Sequence, residues 1–142
     1  MINRKAEARW EGTLKEGRGN IKLGSGAWQG PYSFGTRFES APGTNPEELL
    51  GAAHAACFTM AVGAALSRAG HPPTSIDTTA TVHLDKVGEG FGITGIDLVT
   101  RGKVPGLSAP EFVRVAEDMG KNCIVSRALA SVPIHVDAAL ES

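Results

Sequence analysis

Redox chemistry is within reach of this chain at two thiols, Cys57 and Cys123, with Arg37, Glu47 and His54 as the side chains able to assist them. The nucleophilic form of cysteine is the thiolate, so a reactive thiol needs a cation or a helix N-terminus nearby. Cys57 lies among alanines, three residues after His54 and one before Phe58, and burial there would disfavour its ionised form and leave it inert. His54 could assist, although a lone histidine on a helix is more commonly packed or solvated. Arg37 is the better activator, because a guanidinium is always charged and can hold a thiolate and a carboxylate together. Cys123 opens the run CIVSRAL at a helix start, where the local field favours a thiolate. Sequence physics alone therefore ranks Cys123 as the more reactive thiol. A plainer reading also stands, in which both are small buried hydrophobes.

Spacing limits how Glu47 could join them. It precedes Cys57 by ten residues, which in one helix is ~15 Å along the axis. Cooperation then requires the glutamate of a second copy. An antiparallel pair of such helices crossing near Ala52, where Gly51, Ala52 and Ala53 permit close approach, would bring each Glu47 beside the opposite Cys57. By itself Glu47 reads as a helix-start carboxylate. Other chemistries lack support: there is no CxxC or HExxH, and His54, His71, His83 and His135 are scattered, so no metal site is expected. GxGxxG and GxxxxGK[ST] are absent, no hydrolase elbow surrounds Ser126, and no cofactor is expected.

The elements that must position these residues can be read from periodicity. Ala6, Ala8 and Trp10 alternate with Glu7, Arg9 and Glu11, and Ile21 and Leu23 flank Lys22. Tyr32, Phe34, Thr36 and Phe38 alternate with Ser33, Gly35, Arg37 and Glu39. With glycines between the runs, this predicts an antiparallel meander with one wet face and puts Arg37 opposite Tyr32, Phe34 and Phe38. Asn45 as N-cap, Pro46 in the first turn and Glu47 and Glu48 beside it open a helix of about 24 residues, roughly 36 Å long. Arg68, Gly70, Pro72 and Pro73 stop it. Ile76, Thr78, Ala80, Val82 and Leu84 make a long strand; after Gly88, Gly90 and Gly92 a second strand returns with Thr94, Ile96, Leu98 and Thr100 on one face. Ser108 and Glu111 form a capping box for a helix that presents Phe112, Val115, Ala116 and Met119 on one side. A short helical run, Ile124 to Leu129, and a last strand with Ile134, Val136 and Ala138 complete one domain, residues 1–142.

Composition bounds the partners. Fourteen Lys and Arg against fifteen Asp and Glu leave no basic surplus for a phosphate backbone or an anionic bilayer, so neither nucleic acid nor membrane is an expected partner. Leu49 to Leu66 approaches the length of a membrane span, but alanine and glycine dominate it. The polar N-terminal run MINRKAEARW has no signal-peptide core, so a reducing cytoplasmic location is expected, with any pairing of the thiols transient. Eighteen glycines, against a usual share of ~7%, imply many tight turns. A helix apolar on every side is a core helix, yet a chain of this size has a radius of gyration near ~14 Å and cannot cover it alone. A homodimer with this helix at its centre follows as an expectation.

The run GTNPEELLGAAHAACF from Gly43 to Phe58, TRFE from Thr36, PTSIDTTA from Pro73, CIVSRAL from Cys123 and ARWEG near Trp10 resemble the osmotically inducible protein C branch of the OsmC/Ohr hydroperoxide reductase family. The likeness covers nearly the whole chain. It implies an α+β fold whose antiparallel sheets wrap long central helices in an intertwined homodimer, with active sites at the subunit interface. It also implies reduction of organic hydroperoxides, and of hydrogen peroxide more weakly, through a Cys57 sulfenic acid and a Cys57–Cys123 disulfide. Arg37 would stabilise the thiolate and polarise the peroxide, and Glu47 would hold Arg37. Regeneration would come from a dithiol, by similarity a lipoyl group. Ile124 departs from the pattern, since relatives often carry proline after the resolving cysteine. The competing expectation is a non-catalytic stress protein that binds a hydrophobic ligand.

Overall fold

A computed structural model describes residues 1–141. Two compact units divide after Leu49. In the first, β1 (Ala6–Glu11), β2 (Arg18–Leu23) and β3 (Gln29–Tyr32) form the expected antiparallel meander in the order β1-β2-β3. Gly19 faces Trp10 on one side and Tyr32 on the other. The two rings approach to 5.5 Å between centroids, and any Cβ at residue 19 would strike both.

The strand ends at Tyr32, and this corrects the sequence expectation. Ser33 caps a one-turn helix, α1 (Phe34–Phe38), through a reciprocal box: its hydroxyl accepts from the Thr36 N–H, and Thr36 Oγ1 accepts from the Ser33 N–H at 2.9 Å. Two backbone groups satisfied locally outweigh four alternating side chains, whose period-two pattern imitates a strand. Arg37 consequently shares a turn with the aromatics, its guanidinium carbon 5.3 Å from the Phe38 ring centroid.

The next helix, α2 (Pro46–Arg68), begins as its sequence dictates, with the Glu48 N–H donating to Asn45 Oδ1 at 2.8 Å. Its remaining turns belong to the second unit. They are followed by β4 (Ser75–Val87), β5 (Gly90–Lys103), α3 (Ala109–Asn122), α4 (Ile124–Ala128) and β6 (Ile134–Leu140). The sheet order is β4-β5-β6, and β5 pairs with β6 in parallel. The expected all-antiparallel sheets are thus corrected at this edge, because the α3–α4 crossover returns the chain in the same direction.

One core joins Phe58, Val62 and Leu66 of α2, Ile96 and Leu98 of β5, Phe112 and Ala116 of α3, and Cys123. Full burial of Phe58 or Phe112 contributes about 1.5–3 kcal/mol each. Gly102 makes the α3 approach possible, since a Cβ there would sit 2.5 Å from the Phe112 ring. The expected strand face fails at Thr94. A register shift opposite His83 and Leu84 pairs Leu84 with Ile93, so Ile93 packs on the core while Thr94 is exposed and bonds Asp85.

Within one chain α2 is not covered all round. Gly51, His54, Phe58, Val62 and Leu66 are buried on one side, whereas Ala52, Ala53, Ala56, Met60 and Ala64 are exposed. Met60 is 79% exposed, an uncovered apolar stripe at helical spacing.

Candidate active site

Two clusters hold the residues singled out from sequence. Arg37 and Glu47 meet in the first unit. Arg37 Nε donates to both carboxylate oxygens at 3.1 Å, and Nη2 donates to Oε1 at 2.6 Å. The capping box sets the turn that carries Arg37, and the Asn45 side-chain amide donates to the Thr36 carbonyl at 2.8 Å. The N-cap of α2 is thereby tied to α1, so the two ends of the pair are fixed by one bridge. Glu47 is buried and Arg37 partly exposed. An exposed pair adds about 0–1 kcal/mol to stability, but removal of Arg37 would strand a buried carboxylate. The cation has one polar face held by Glu47, which leaves its remaining N–H groups to act on another anion or oxygen.

Cys57 and Cys123 meet in the second unit, on the first turn of α4. The Val125 N–H donates to Cys57 Sγ and the Ser126 N–H to Cys123 Sγ, each at 3.4 Å. Consecutive amides therefore hold the two sulfurs. Cys123 is itself the N-cap of α4, its sulfur standing where an oxygen usually does. Both thiols are free. Cys123 is 3% exposed and Cys57 is half-buried, so a solute reaches Cys57 first. This ordering is opposite to the one local field alone suggested. Ile124 takes the first position of α4 with 72% exposure. That position needs no N–H of its own, which is why proline is tolerated there, and α4 forms with isoleucine in its place.

Sequence reasoning missed Ser126 and left His54 open. His54 is fully buried, and its Nε2 lies 2.8 Å from Ser126 Oγ, which is 3.0 Å from Cys123 Sγ. Burial pushes the His54 imidazole below its ordinary value of 6.5, so it is neutral at pH 7. Its Nδ1 has no hydrogen-bond partner, a deficit of about 1–3 kcal/mol for a buried polar group. The signal for Ser126 was its place three residues after a helix-capping side chain, where the N–H returns to the cap. Among the described residues, no group of three or more His, Cys, Asp or Glu side chains converges as a metal site would require.

The bidentate ion pair of the first unit and the two thiols on a helix start in the second, each taken by itself, are features of an α+β protein of the two-cysteine class. A sequence model of the OsmC-like protein family matches residues 38–137. Peroxiredoxin OsmC of Escherichia coli (strain K12) and its namesake in Shigella flexneri are each 50% identical over 142 residues, covering 99% of both chains. Among solved structures, organic hydroperoxide resistance protein OhrB of Bacillus subtilis aligns over 96% of this chain and 98% of its own, at TM-score 0.73 and 22% identity. An organic hydroperoxide resistance protein of Elizabethkingia anophelis aligns over 99% of both chains, at TM-score 0.76 and 20% identity. The chain belongs to the OsmC family, and with full-length peroxiredoxin relatives at half identity it is a peroxidase-type oxidoreductase.

Proposed function

We propose that the protein reduces organic hydroperoxides, and hydrogen peroxide more weakly, to alcohols in oxidative and osmotic stress defence. The observation that carries this reading is the placement of two free thiols on the consecutive amides of Val125 and Ser126. Ionised Cys57 attacks the terminal oxygen of the peroxide; the O–O bond breaks, the alkoxide takes a proton and leaves as alcohol, and Cys57 becomes a sulfenic acid. Cys123 then attacks that sulfur, forming a disulfide and releasing water. A dithiol, lipoyl-bearing by family likeness, reduces the disulfide.

Arg37 stabilises the Cys57 thiolate and polarises the peroxide, while the bidentate grip of Glu47 orients the guanidinium. One OsmC-like domain, residues 1–142, works as a cytoplasmic homodimer. The exposed stripe of Ala52, Ala53, Ala56, Met60 and Ala64 supports pairing of α2 with its copy, and the helical separation of Glu47 from Cys57 supports a site that takes its ion pair from one subunit and its thiols from the other.

Stopped-flow assay with cumene hydroperoxide and a dithiol tests the activity. Wild-type protein consumes peroxide and Cys57→Ser does not; equal consumption by both, or none by either, returns the protein to the non-catalytic, ligand-binding reading. Heterodimers of Glu47→Ala and Cys57→Ser subunits regain partial activity if the site is shared, and verified heterodimers with no recovery sink that geometry.

A further inference from the structure

We propose that Ser126 and His54 form the proton path that ionises Cys123 as it attacks oxidised Cys57, an inference that rests on the two-thiol reading above. Cys123 is enclosed at 3% exposure, so its thiol proton has no direct way to water at the moment of attack. Among the described residues, the side-chain hydroxyl at its sulfur is Ser126 Oγ, 3.0 Å away, and that oxygen is 2.8 Å from His54 Nε2. Both distances suit proton transfer along a hydrogen-bonded chain. The arrangement is Cys123 S–H to Ser126 Oγ, then Ser126 O–H to His54 Nε2.

Three features single this chain out from ordinary core packing. His54 stands fully buried in an otherwise apolar stretch of α2. Its second nitrogen is an unsatisfied buried polar atom, which packing alone would select against. Desolvation keeps the ring neutral, hence free to accept a proton at Nε2. The Ser126 backbone is fixed by its own N–H to Cys123 Sγ, and its buried hydroxyl is held between that sulfur and His54 Nε2.

The step balances as follows. The electron pair of Cys123 sulfur forms the S–S bond, and the S–O bond of the Cys57 sulfenic acid breaks with its pair on oxygen. The departing hydroxide becomes water with a proton from solvent at half-buried Cys57. The Cys123 proton passes to Ser126 Oγ as the serine proton passes to His54 Nε2. The enclosed imidazolium keeps it until a dithiol reduces the disulfide, when the Cys123 thiolate takes it back through Ser126 and the dithiol's surplus proton goes to solvent at Cys57. No isolated buried thiolate persists, because the transfer accompanies bond formation. Ser126 touches the reacting sulfur and is the catalytic residue of the pair; His54 acts through it and is a positioning residue.

The test is a single turnover of full-length, pre-reduced protein with one equivalent of cumene hydroperoxide, quenched over time into dimedone. Mass spectrometry then reads Cys57 sulfenic acid against Cys57–Cys123 disulfide at a series of pH values. Wild-type protein closes the disulfide with a shallow pH dependence near neutrality. Ser126→Ala and His54→Gln accumulate dimedone-labelled Cys57, close the disulfide roughly 10²-fold more slowly near neutral pH, and gain about tenfold per pH unit as hydroxide replaces the internal path; Ser126→Thr, which restores the hydroxyl, recovers the shallow profile. Closure in both variants at the wild-type rate, or slower closure with a wild-type pH profile, overturns the relay and leaves the two side chains a packing role. Wild-type protein that yields neither labelled Cys57 nor disulfide overturns the two-thiol reading and the relay with it.

Discussion

Helices α1 and α4 are each five residues long, one in each compact unit, and each carries one of the two residue clusters. Helix α1 has no buried residue and is closed by a serine–threonine box; it offers a cation, Arg37, at its last turn. Helix α4 starts on a cysteine and buries Ser126; it offers two amides and a thiol at its first turn. Charge is thus displayed where water keeps it cheap, and sulfur is held where packing keeps it from unwanted partners. The lesson is that one-turn helices serve here as mounts, their geometry set by the cap rather than by length.

The contrast predicts which changes harm chemistry and which harm the fold. Cys57→Ser should abolish turnover, leaving less than roughly 10⁻³ of the wild-type rate with the urea midpoint nearly unmoved; substantial residual turnover would dissolve the division of labour. Arg37→Lys, which keeps a cation beside the buried Glu47 carboxylate but loses the planar fork, should lower kcat/KM by roughly 10²-fold, the scale of a lost electrostatic donor, again with little change in Tm. Gly102→Ala should do the reverse, costing about 1–3 kcal/mol of stability by overpacking Phe112 and keeping most of the activity in the folded fraction.

The smallest effect concerns pH. Because His54 is held below 6.5 in the native state, the unfolded chain binds a proton there, between the native value and 6.5, that the folded chain does not. Stability therefore rises with pH through that window and is lost as pH falls below about 6.5, with a slope of at most ~1.4 kcal/mol per pH unit. Denaturant titrations of wild type and His54→Gln should differ by that slope, and parallel curves would mean that His54 is solvated.

Much of this frame was legible in the letters. Asn45, Pro46 and Glu47 announced α2, and Ser108 with Glu111 announced α3, because caps are local. The Tyr32 to Phe38 run misled because alternation is also local and took precedence over Ser33 and Thr36. Thr94 misled because a bulge shifts the face without any change in composition. The β6 strand paired in parallel because a crossover intervenes, which strand periodicity cannot express. Cys57, Cys123, Arg37 and Glu47 stood out by residue type, whereas Ser126 did not: its importance comes from a contact with His54 across the second unit.

One measurement bears most directly on the two-thiol account: thiol counting and peptide mapping after reduced protein meets a single equivalent of cumene hydroperoxide. The expected result is one alcohol formed and two thiols lost per chain, with every disulfide joining Cys57 to Cys123 of the same chain. Retention of both thiols, or a cross-link between chains in place of that disulfide, would contradict it.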